Sequence, residues 1–214
     1  MQIVLLSGGA GKRLWPLSND LYSKQFLRIL RREDGMLESM IQRVCRQVQC
    51  AAPDTPITVA TGREQVSLIR RQLGAGVHIS IEPCRRDTFP AITLVSVYLH
   101  EVRGIPLDEA VAICPADPYV GEGYFRAVVQ LLQEAEREGS ANLVLMGIEP
   151  TYPSEKYGYI MPASQEAQSM VQSFKEKPDK ETAAEYIEQG ALWNSGVFAF
   201  KLGYALDKAR ELLD

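Results

Sequence analysis

Up to residue 150, short apolar runs alternate with longer segments that have helical periodicity. Strands are predicted where Val and Ile dominate an apolar run bounded by turn residues, at 2–6, 57–61, 77–81, 110–114 and 142–148. Helices are predicted where apolar residues recur at helical spacing, at 36–50, 63–73, 88–102 and 122–138. Strands that alternate with helices predict an α/β fold with a mostly parallel mixed sheet and helices on both faces.

The pattern changes after residue 150. Strands are predicted near 158–161, 169–176 and 196–201, and helices near 180–189 and 203–213. The chain has 214 residues, of which 46% are hydrophobic, and no Gly/Ser/Pro-rich or highly charged linker interrupts it. We therefore expect one domain over 1–214, large enough to bury a substantial core.

A glycine-rich loop follows the first predicted strand. Gly8, Gly9 and Gly11 would let backbone N–H groups converge on an anion, and Arg13 and Lys24 add positive charge to the same region. A tight turn would use such glycines too. The added charges favour a phosphate-binding loop.

Two familiar phosphate loops do not fit this spacing. A P-loop would need Gly where Leu6 stands and Ser or Thr where Arg13 stands. A dinucleotide fingerprint would need Gly or Ala at Leu14 and an acidic residue after the next strand, which ends in Ala-Thr-Gly at 60–62. The spacing thus disfavours a small-molecule kinase and a nicotinamide enzyme.

Composition excludes further classes of protein. The net charge of −4 argues against nucleic acid as a partner. The four cysteines show no Cys-x-x-Cys spacing and the two histidines have no paired partner, so zinc is not expected. No apolar run is long enough for a signal peptide or a membrane span. We expect a soluble, cytoplasmic protein that does not contact a membrane.

Five motifs occur in the order of one known family. They are Gly-Gly-Ala-Gly-Lys-Arg-Leu-Trp-Pro-Leu-Ser at 8–18 with Tyr-Ser-Lys-Gln-Phe at 22–26, Glu-Pro-Cys-Arg-Arg-Asp-Thr-Phe-Pro-Ala-Ile at 82–92, Cys-Pro-Ala-Asp at 114–117, Phe-Lys-Glu-Lys-Pro at 174–178, and Trp-Asn-Ser-Gly-Val-Phe at 193–198. Together they resemble the signature of the sugar-phosphate nucleotidyltransferases. Leu-Trp-Pro-Leu-Ser and Lys-Gln-Phe point to the branch that uses mannose 1-phosphate. The resemblance implies the Rossmann-like fold of the nucleotide-diphospho-sugar transferases.

This resemblance implies a nucleotide site in the first half of the chain. Arg13 would contact the triphosphate and the leaving pyrophosphate, and Lys24 the α-phosphate region. The segment 82–88 is similar to the family's base and ribose site, although Arg86 could equally pair with a neighbouring carboxylate. The implied nucleotide-binding residues are Leu6, Gly8, Gly9, Gly11, Arg13, Lys24, Glu82, Arg86, Asp87 and Thr88.

The same resemblance implies a sugar-phosphate site in the second half. An isolated lysine at a strand exit is usually only solvated, but the matched pentapeptide gives Lys177 the sugar phosphate and Glu176 the sugar hydroxyls. Gly158 and Asn194 also resemble sugar contacts. Trp193 is expected to be a packing residue.

Asp117 follows the predicted strand 110–114, where an acidic residue could cap a helix. The next helical pattern starts only beyond Gly121, which makes capping less natural. The resemblance makes Asp117 a ligand of Mg²⁺, a cation that binds one or two carboxylates plus substrate phosphates. The implied catalytic residues are Arg13, Lys24, Asp117 and Lys177, with Mg²⁺ as cofactor.

The implied reaction is nucleotidyl transfer from GTP to mannose 1-phosphate, giving GDP-mannose and pyrophosphate without a covalent enzyme intermediate. The chain departs from the family near Asn19 and at Ser23, Asp87, Phe89 and Pro118, and each change touches a ligand-facing loop. Two alternatives therefore stay open: a related sugar-1-phosphate nucleotidyltransferase of other specificity, and a non-catalytic regulatory homologue that binds sugar nucleotides.

Length is the second departure from the family. Its members continue with more of the core, including a second metal-binding aspartate, whereas this sequence stops inside a helical pattern. We expect a C-terminally truncated catalytic domain with incomplete metal placement. A homodimer, if formed, would use regions partly missing here.

Overall fold

A computed structural model describes residues 1–8, 14–19, 22–84 and 86–213. The strands are β1 (Gln2–Leu6), β2 (Arg28–Arg31), β3 (Leu37–Ser39), β4 (Ile57–Gly62), β5 (His78–Glu82), β6 (Ala110–Pro115), β7 (Leu143–Ile148), β8 (Tyr159–Pro162), β9 (Val171–Lys175) and β10 (Leu192–Lys201). The helices are α1 (Met40–Ala51), α2 (Val66–Leu73), α3 (Thr88–Val97), α4 (Gly123–Glu136), α5 (Lys180–Glu188) and α6 (Leu202–Leu212). The helices and strands predicted from periodicity are all present, most of them within about two residues of the predicted bounds.

The chain divides into two compact units. Unit 1 comprises Met1–Val144 and Phe198–Asp214, and unit 2 comprises Leu145–Val197. The single domain expected over 1–214 stays a prediction.

The sheet of unit 1 has its strands in the order β5-β4-β1-β6, all parallel. The last residues of β10 add an antiparallel strand beside β6, with Phe198 opposite Ile113. Val4 of β1 and Ile113 of β6 are fully buried in a core that α3 and α6 also line. Burying such an aliphatic side chain contributes roughly 1.5–3 kcal/mol relative to leaving it exposed. The predicted mixed, mostly parallel α/β sheet is confirmed.

The carboxyl ends of the unit 1 strands meet at one edge of the sheet. Leu6 is opposite both Ala60 of β4 and Pro115 of β6, and Gly62 is opposite Glu82 of β5. The motifs that follow β1, β5 and β6 therefore leave the sheet along the same edge, where open α/β sheets bind ligands.

Residues 36–39 were predicted as the start of a helix, and this boundary is wrong. Met36 precedes β3, which pairs with β2 in a separate antiparallel hairpin. Helix α1 begins only after Ser39, whose hydroxyl accepts a bond from the backbone N–H of Gln42 while the Gln42 side chain accepts one from the N–H of Ser39. This capping box fixes the start of α1.

Unit 2 is built on the antiparallel strands β8 and β9. Tyr159 of β8 is opposite Lys175 of β9, and the first residues of β10 pair with the other side of β8. Its small core contains Tyr159 and Ala183, contributed by β8 and α5. In the described part of the chain, no helix is both long and apolar enough to cross a membrane.

Candidate functional site

Lys24 and Asp117 form the most direct link between two of the sequence motifs. Lys24 opens the 3₁₀ turn Lys24–Phe26, and Asp117 follows β6 by two residues. The Lys24 ammonium forms an ion pair with Oδ2 of Asp117. Their side chains are 35% and 34% exposed, so a ligand can reach both charged groups. The structure thus brings together the predicted phosphate-binding lysine and the predicted metal ligand.

The loop that carries Asp117 is fixed at both ends. The backbone N–H of Ala116 donates to the carbonyl of Leu6 at 3.1 Å, which ties the loop to the end of β1. Further along, Gln47 Nε2 on α1 donates to the carbonyl of Val120 at 3.1 Å. Helix α4 has Glu122 at its N-cap, so Asp117 does not cap this helix. This placement agrees with a ligand-facing carboxylate rather than a structural cap.

Gly8 and Glu82 bring the first and second motifs together. A Cβ atom at Gly8 would lie 3.9 Å from Oε1 of Glu82, so the Gly8 backbone is next to this carboxylate. Glu82 is 8% exposed and lies opposite Gly62 of β4, whereas Leu6 ends β1 opposite Ala60, on the other side of β4. Gly9, Gly11 and Arg13 lie outside the described residues, so their phosphate contacts stay predictions.

Asp87 has an unusual backbone conformation in the second motif. Its φ of +68° with ψ of −172° belongs to a region that glycine occupies almost exclusively, and its side chain does not cap α3. Thr88 begins α3 and is exposed. A hydrogen bond with Cys84 raises the pKa of the Arg86 guanidinium above its usual value.

In unit 2, the predicted sugar contacts Gly158, Glu176 and Asn194 lie together. A Cβ atom at Gly158 would come within 2.7 Å of both Oε2 of Glu176 and the ring of Phe174, so a larger residue could not fit without a shift. The carbonyl of Gly158 accepts a 2.8 Å bond from the N–H of Asn194. Asn194 Oδ1 in turn accepts from the N–H of Gly196 at 3.1 Å.

Lys177 is also next to this group. Its ammonium pairs with Oε1 of Glu176 at 2.7 Å, and the two side chains are 60% and 56% exposed. Lys177 has a φ of +43°. Among the residues that the structure describes, Asp87 and Lys177 are the only non-glycine residues with positive φ. Strained conformations cluster at functional sites, which supports a role for both loops.

Sequence reasoning assigned no role to an aromatic cluster beside these residues. Trp193 contacts Tyr152 and Tyr157, with ring centroids 5.2 and 4.9 Å away. These contacts confirm Trp193 as a packing residue. Its indole Nε1 is nevertheless buried without a hydrogen-bond partner within the described chain. The available sequence signal was an aromatic residue directly before each predicted sugar contact, Tyr157 before Gly158 and Trp193 before Asn194.

Sequence reasoning also missed the buried polar residues around Lys24. Gln65 Nε2 donates to Ser23 Oγ at 2.8 Å, and Gln25 Nε2 donates to Ser7 Oγ at 3.1 Å. Ser7, Ser23, Gln25 and Gln65 are each at most 3% exposed. A glutamine three residues after a buried strand gives no clear signal, because it usually faces solvent.

The donor set at Asp117 is compatible with Mg²⁺. Groups of three or more His, Cys, Asp or Glu side chains able to hold a metal are absent from residues 1–8, 14–19, 22–84 and 86–213. Mg²⁺ does not need such a cage, because it usually keeps several waters and takes phosphate oxygens as ligands. An accessible carboxylate at a sheet edge meets that requirement, although it must exchange its partner Lys24.

The chain has the α/β fold of the nucleotide-diphospho-sugar transferases. It superposes on a Thermus thermophilus structure described as a mannose-1-phosphate geranyltransferase with a TM-score of 0.83 and 32% identity, covering 99% of this chain and 60% of that one. A Bacillus anthracis structure described as a putative glucose-1-phosphate thymidylyltransferase shares the fold, with a TM-score of 0.69 and 14% identity over 100% of this chain and 75% of that one.

The family model for nucleotidyl transferases matches residues 2–213, so the chain belongs to this family. An Escherichia coli K12 mannose-1-phosphate guanylyltransferase is 35% identical over 97% of this chain and 44% of the relative. The Xanthomonas campestris xanthan biosynthesis protein XanB is also 35% identical, with the same coverage of both chains. The chain thus spans about 44% of the length of these curated relatives.

Proposed function

We propose that this chain catalyses nucleotidyl transfer from GTP to mannose 1-phosphate, giving GDP-mannose and pyrophosphate. The observation that carries the proposal is the Lys24–Asp117 pair at the carboxyl edge of a parallel sheet. Relatives named mannose-1-phosphate guanylyltransferase, at 31–35% identity, support the choice of substrates.

The nucleotide half of the reaction is assigned to unit 1. The ammonium of Lys24 exchanges the Asp117 carboxylate for an oxygen of the α-phosphate region, and Arg13 contacts the β- and γ-phosphates that leave as pyrophosphate. Glu82, Asp87 and the start of α3 border the base and ribose. These groups offset the negative charge that develops on the phosphoryl oxygens.

The sugar half is assigned to unit 2. Lys177 exchanges Glu176 for the phosphate of mannose 1-phosphate, and the freed Glu176 carboxylate accepts hydrogen bonds from sugar hydroxyls. Gly158 and Asn194 complete the contacts to the sugar. An oxygen of this sugar phosphate attacks the α-phosphorus in line with the leaving pyrophosphate, so catalysis rests on positioning and electrostatics.

Magnesium would be held by Asp117 in this scheme, where it would neutralise phosphate charge when bound. Asp117 then has two successive partners, the Lys24 ammonium without ligands and the cation with them. We propose no further protein ligand for the cation within the described residues.

The test is pyrophosphate release by the purified chain with mannose 1-phosphate and each of GTP, ATP, UTP and dTTP, with and without Mg²⁺. Release with GTP that requires both the sugar phosphate and Mg²⁺ supports the proposal, and Asp117→Asn should abolish this Mg²⁺-dependent release. Release with another nucleotide would indicate a sibling specificity. A folded chain that releases pyrophosphate from none would favour a binding homologue.

A further inference from the structure

A buried chain of hydrogen bonds leads from β4 to the residue before Lys24. The hydroxyl of Thr61 donates to Oε1 of Gln65 at 2.9 Å, and Nε2 of Gln65 donates to Oγ of Ser23 at 2.8 Å. Thr61, Gln65 and Ser23 each have 0% exposure. Ser23 is therefore tied to the carboxyl end of a core strand by side chains that solvent does not reach.

The residue after Lys24 is tied in a similar way. Nε2 of Gln25 donates to Oγ of Ser7 at 3.1 Å and to its carbonyl at 3.4 Å. Ser7 directly follows β1, and its N–H donates to the carbonyl of Ala60 in β4 at 2.8 Å. Lys24 thus stands between two residues anchored to adjacent strands, while its own side chain stays accessible.

The position of Gln65 makes its choice of partner informative. Gln65 ends the 3₁₀ turn Arg63–Gln65, which leads directly into α2, and its side chain makes no capping bond to that helix. Its side-chain amide instead accepts from the Thr61 hydroxyl and donates to the Ser23 hydroxyl. A buried polar network costs stability if any member loses its partner, whereas apolar residues could fill the same space. Its benefit here is a fixed position for the segment at 23–25.

We propose that Gln65 is a positioning residue that holds Lys24 in place through the Ser23 hydroxyl. The proposal rests on the phosphate-binding role given to Lys24 in the proposed function. Small displacements of such a group cost much activity, since a shift of about 1 Å can lower rates by roughly 100-fold. Gln65 does not contact the substrates in this scheme.

The first test is a double-mutant cycle of Gln65→Leu and Ser23→Ala. Gln65→Leu is expected to lower kcat roughly 10- to 100-fold while leaving the KM for mannose 1-phosphate unchanged. The milder Ser23→Ala should show a smaller loss and would carry the test if Gln65→Leu did not fold. Because both changes break one interaction, the double variant should be no worse than Gln65→Leu alone. If the activation free-energy losses of the two single variants simply add in the double variant, the proposal is overturned.

A matched control separates positioning from loss of stability. Gln42 also uses both ends of its amide, accepting from the Ser39 N–H at 3.1 Å and donating to the Gln72 carbonyl at 3.0 Å. Gln42→Leu should lower the melting temperature without changing kcat. If Gln42→Leu and Gln65→Leu reduce kcat equally, Gln65 is only structural and the proposal fails.

Binding of inorganic triphosphate, measured by calorimetry, distinguishes failure of this inference from failure of the proposed function. A wild-type chain that turns over no nucleotide contradicts the proposed function. The inference still holds if Gln65→Leu then weakens triphosphate binding, by a smaller factor than Lys24→Met does. Unchanged binding in Gln65→Leu overturns it, and a wild type that does not bind triphosphate overturns both.

Discussion

The proposed nucleotide site in unit 1 and the proposed sugar-phosphate site in unit 2 are held in different ways. In unit 1, Lys24 lies between Ser23 and Gln25, which are buried and hydrogen-bonded to residues at the ends of core strands. In unit 2, Lys177 and Glu176 pair mainly with each other, and more than half of each side chain is exposed. The proposed nucleotide site is therefore preorganised by packing, whereas the proposed sugar-phosphate site depends on an ion pair in solvent.

This difference between the two units predicts how each would use the free energy of ligand binding. A preorganised lysine needs little ordering when phosphate arrives, so its contacts can favour the transition state. An exposed pair such as Glu176–Lys177 contributes only about 0–1 kcal/mol to stability and breaks easily. We expect changes in unit 1 to act on nucleotide binding and turnover, and changes in unit 2 to act on recognition of the sugar phosphate.

The largest expected effect is that of Lys24→Met. Removing a group that offsets phosphate charge should lower kcat roughly 100- to 1,000-fold. The melting temperature should hardly change, because a pair about one-third exposed contributes little to stability. Lys208→Met, which removes the exposed pair with Glu211, is the control and should leave kcat unchanged. A large fall in melting temperature for Lys24→Met would instead give that lysine a structural role.

Lys177→Met should have the next largest effect, and on a different parameter. We expect the KM for mannose 1-phosphate to rise roughly tenfold or more, because loss of a charge-assisted contact to phosphate costs about 1.5–3 kcal/mol. The KM for GTP should stay the same. Lys175→Met on β9 is the control, since Lys175 is exposed but outside the proposed contacts. Equal changes in the KM values for GTP and for mannose 1-phosphate would contradict the assignment of the two substrates to different units.

Asp87→Gly should separate activity from stability in unit 1. Glycine relieves the strained φ of +68°, and we expect unfolding to cost about 1 kcal/mol more in the variant. Nucleotide affinity should fall at the same time, because the carboxyl side chain is lost from the predicted ribose segment. Chemical denaturation and GTP titration measure the two effects. A variant less stable than wild type would show that the conformation of Asp87 carries no strain.

The smallest effect is expected for Asp179 in unit 2, where a substitution should change stability but not activity. Its carboxylate caps α5 by accepting the N–H of Thr182 at 2.8 Å, and this bond lowers the pKa of Asp179. A lowered folded-state pKa means that the cap stabilises above the unfolded-state pKa and is lost as the pH falls through the folded-state pKa. Asp179→Ala should therefore lower the melting temperature at neutral pH but not in strong acid, without altering kinetics. A difference that persists in strong acid would contradict this cause.

Periodicity predicted most of the fold because the core strands are continuous apolar runs. It missed the hairpin of β2 and β3, because both strands are short and contain charged residues, and β2 is also largely exposed. It also began α1 too early, because Met36 and Leu37 continue the helical spacing of the apolar residues in α1. Only the Ser39–Gln42 capping box marks the true start of α1.

The site was predictable where chemistry requires one residue type at a motif position. Lys24 with Asp117 and Gly158 with Glu176 are pairs that sequence could propose and that the structure brings together. Gln65 was not predictable, because its partner Ser23 is 42 positions away in the chain. A supporting network of that kind depends on how strands align, which no local pattern encodes.

The most direct test of the division between the two halves is calorimetric binding of GTP and of mannose 1-phosphate to wild type, Lys24→Met and Lys177→Met. We predict a crossed result, in which Lys24→Met weakens only GTP binding and Lys177→Met weakens only mannose 1-phosphate binding. The assignment of the nucleotide to unit 1 and the sugar phosphate to unit 2 would be contradicted if both variants lost affinity for the same ligand. It would also be contradicted if either variant bound both ligands as tightly as wild type.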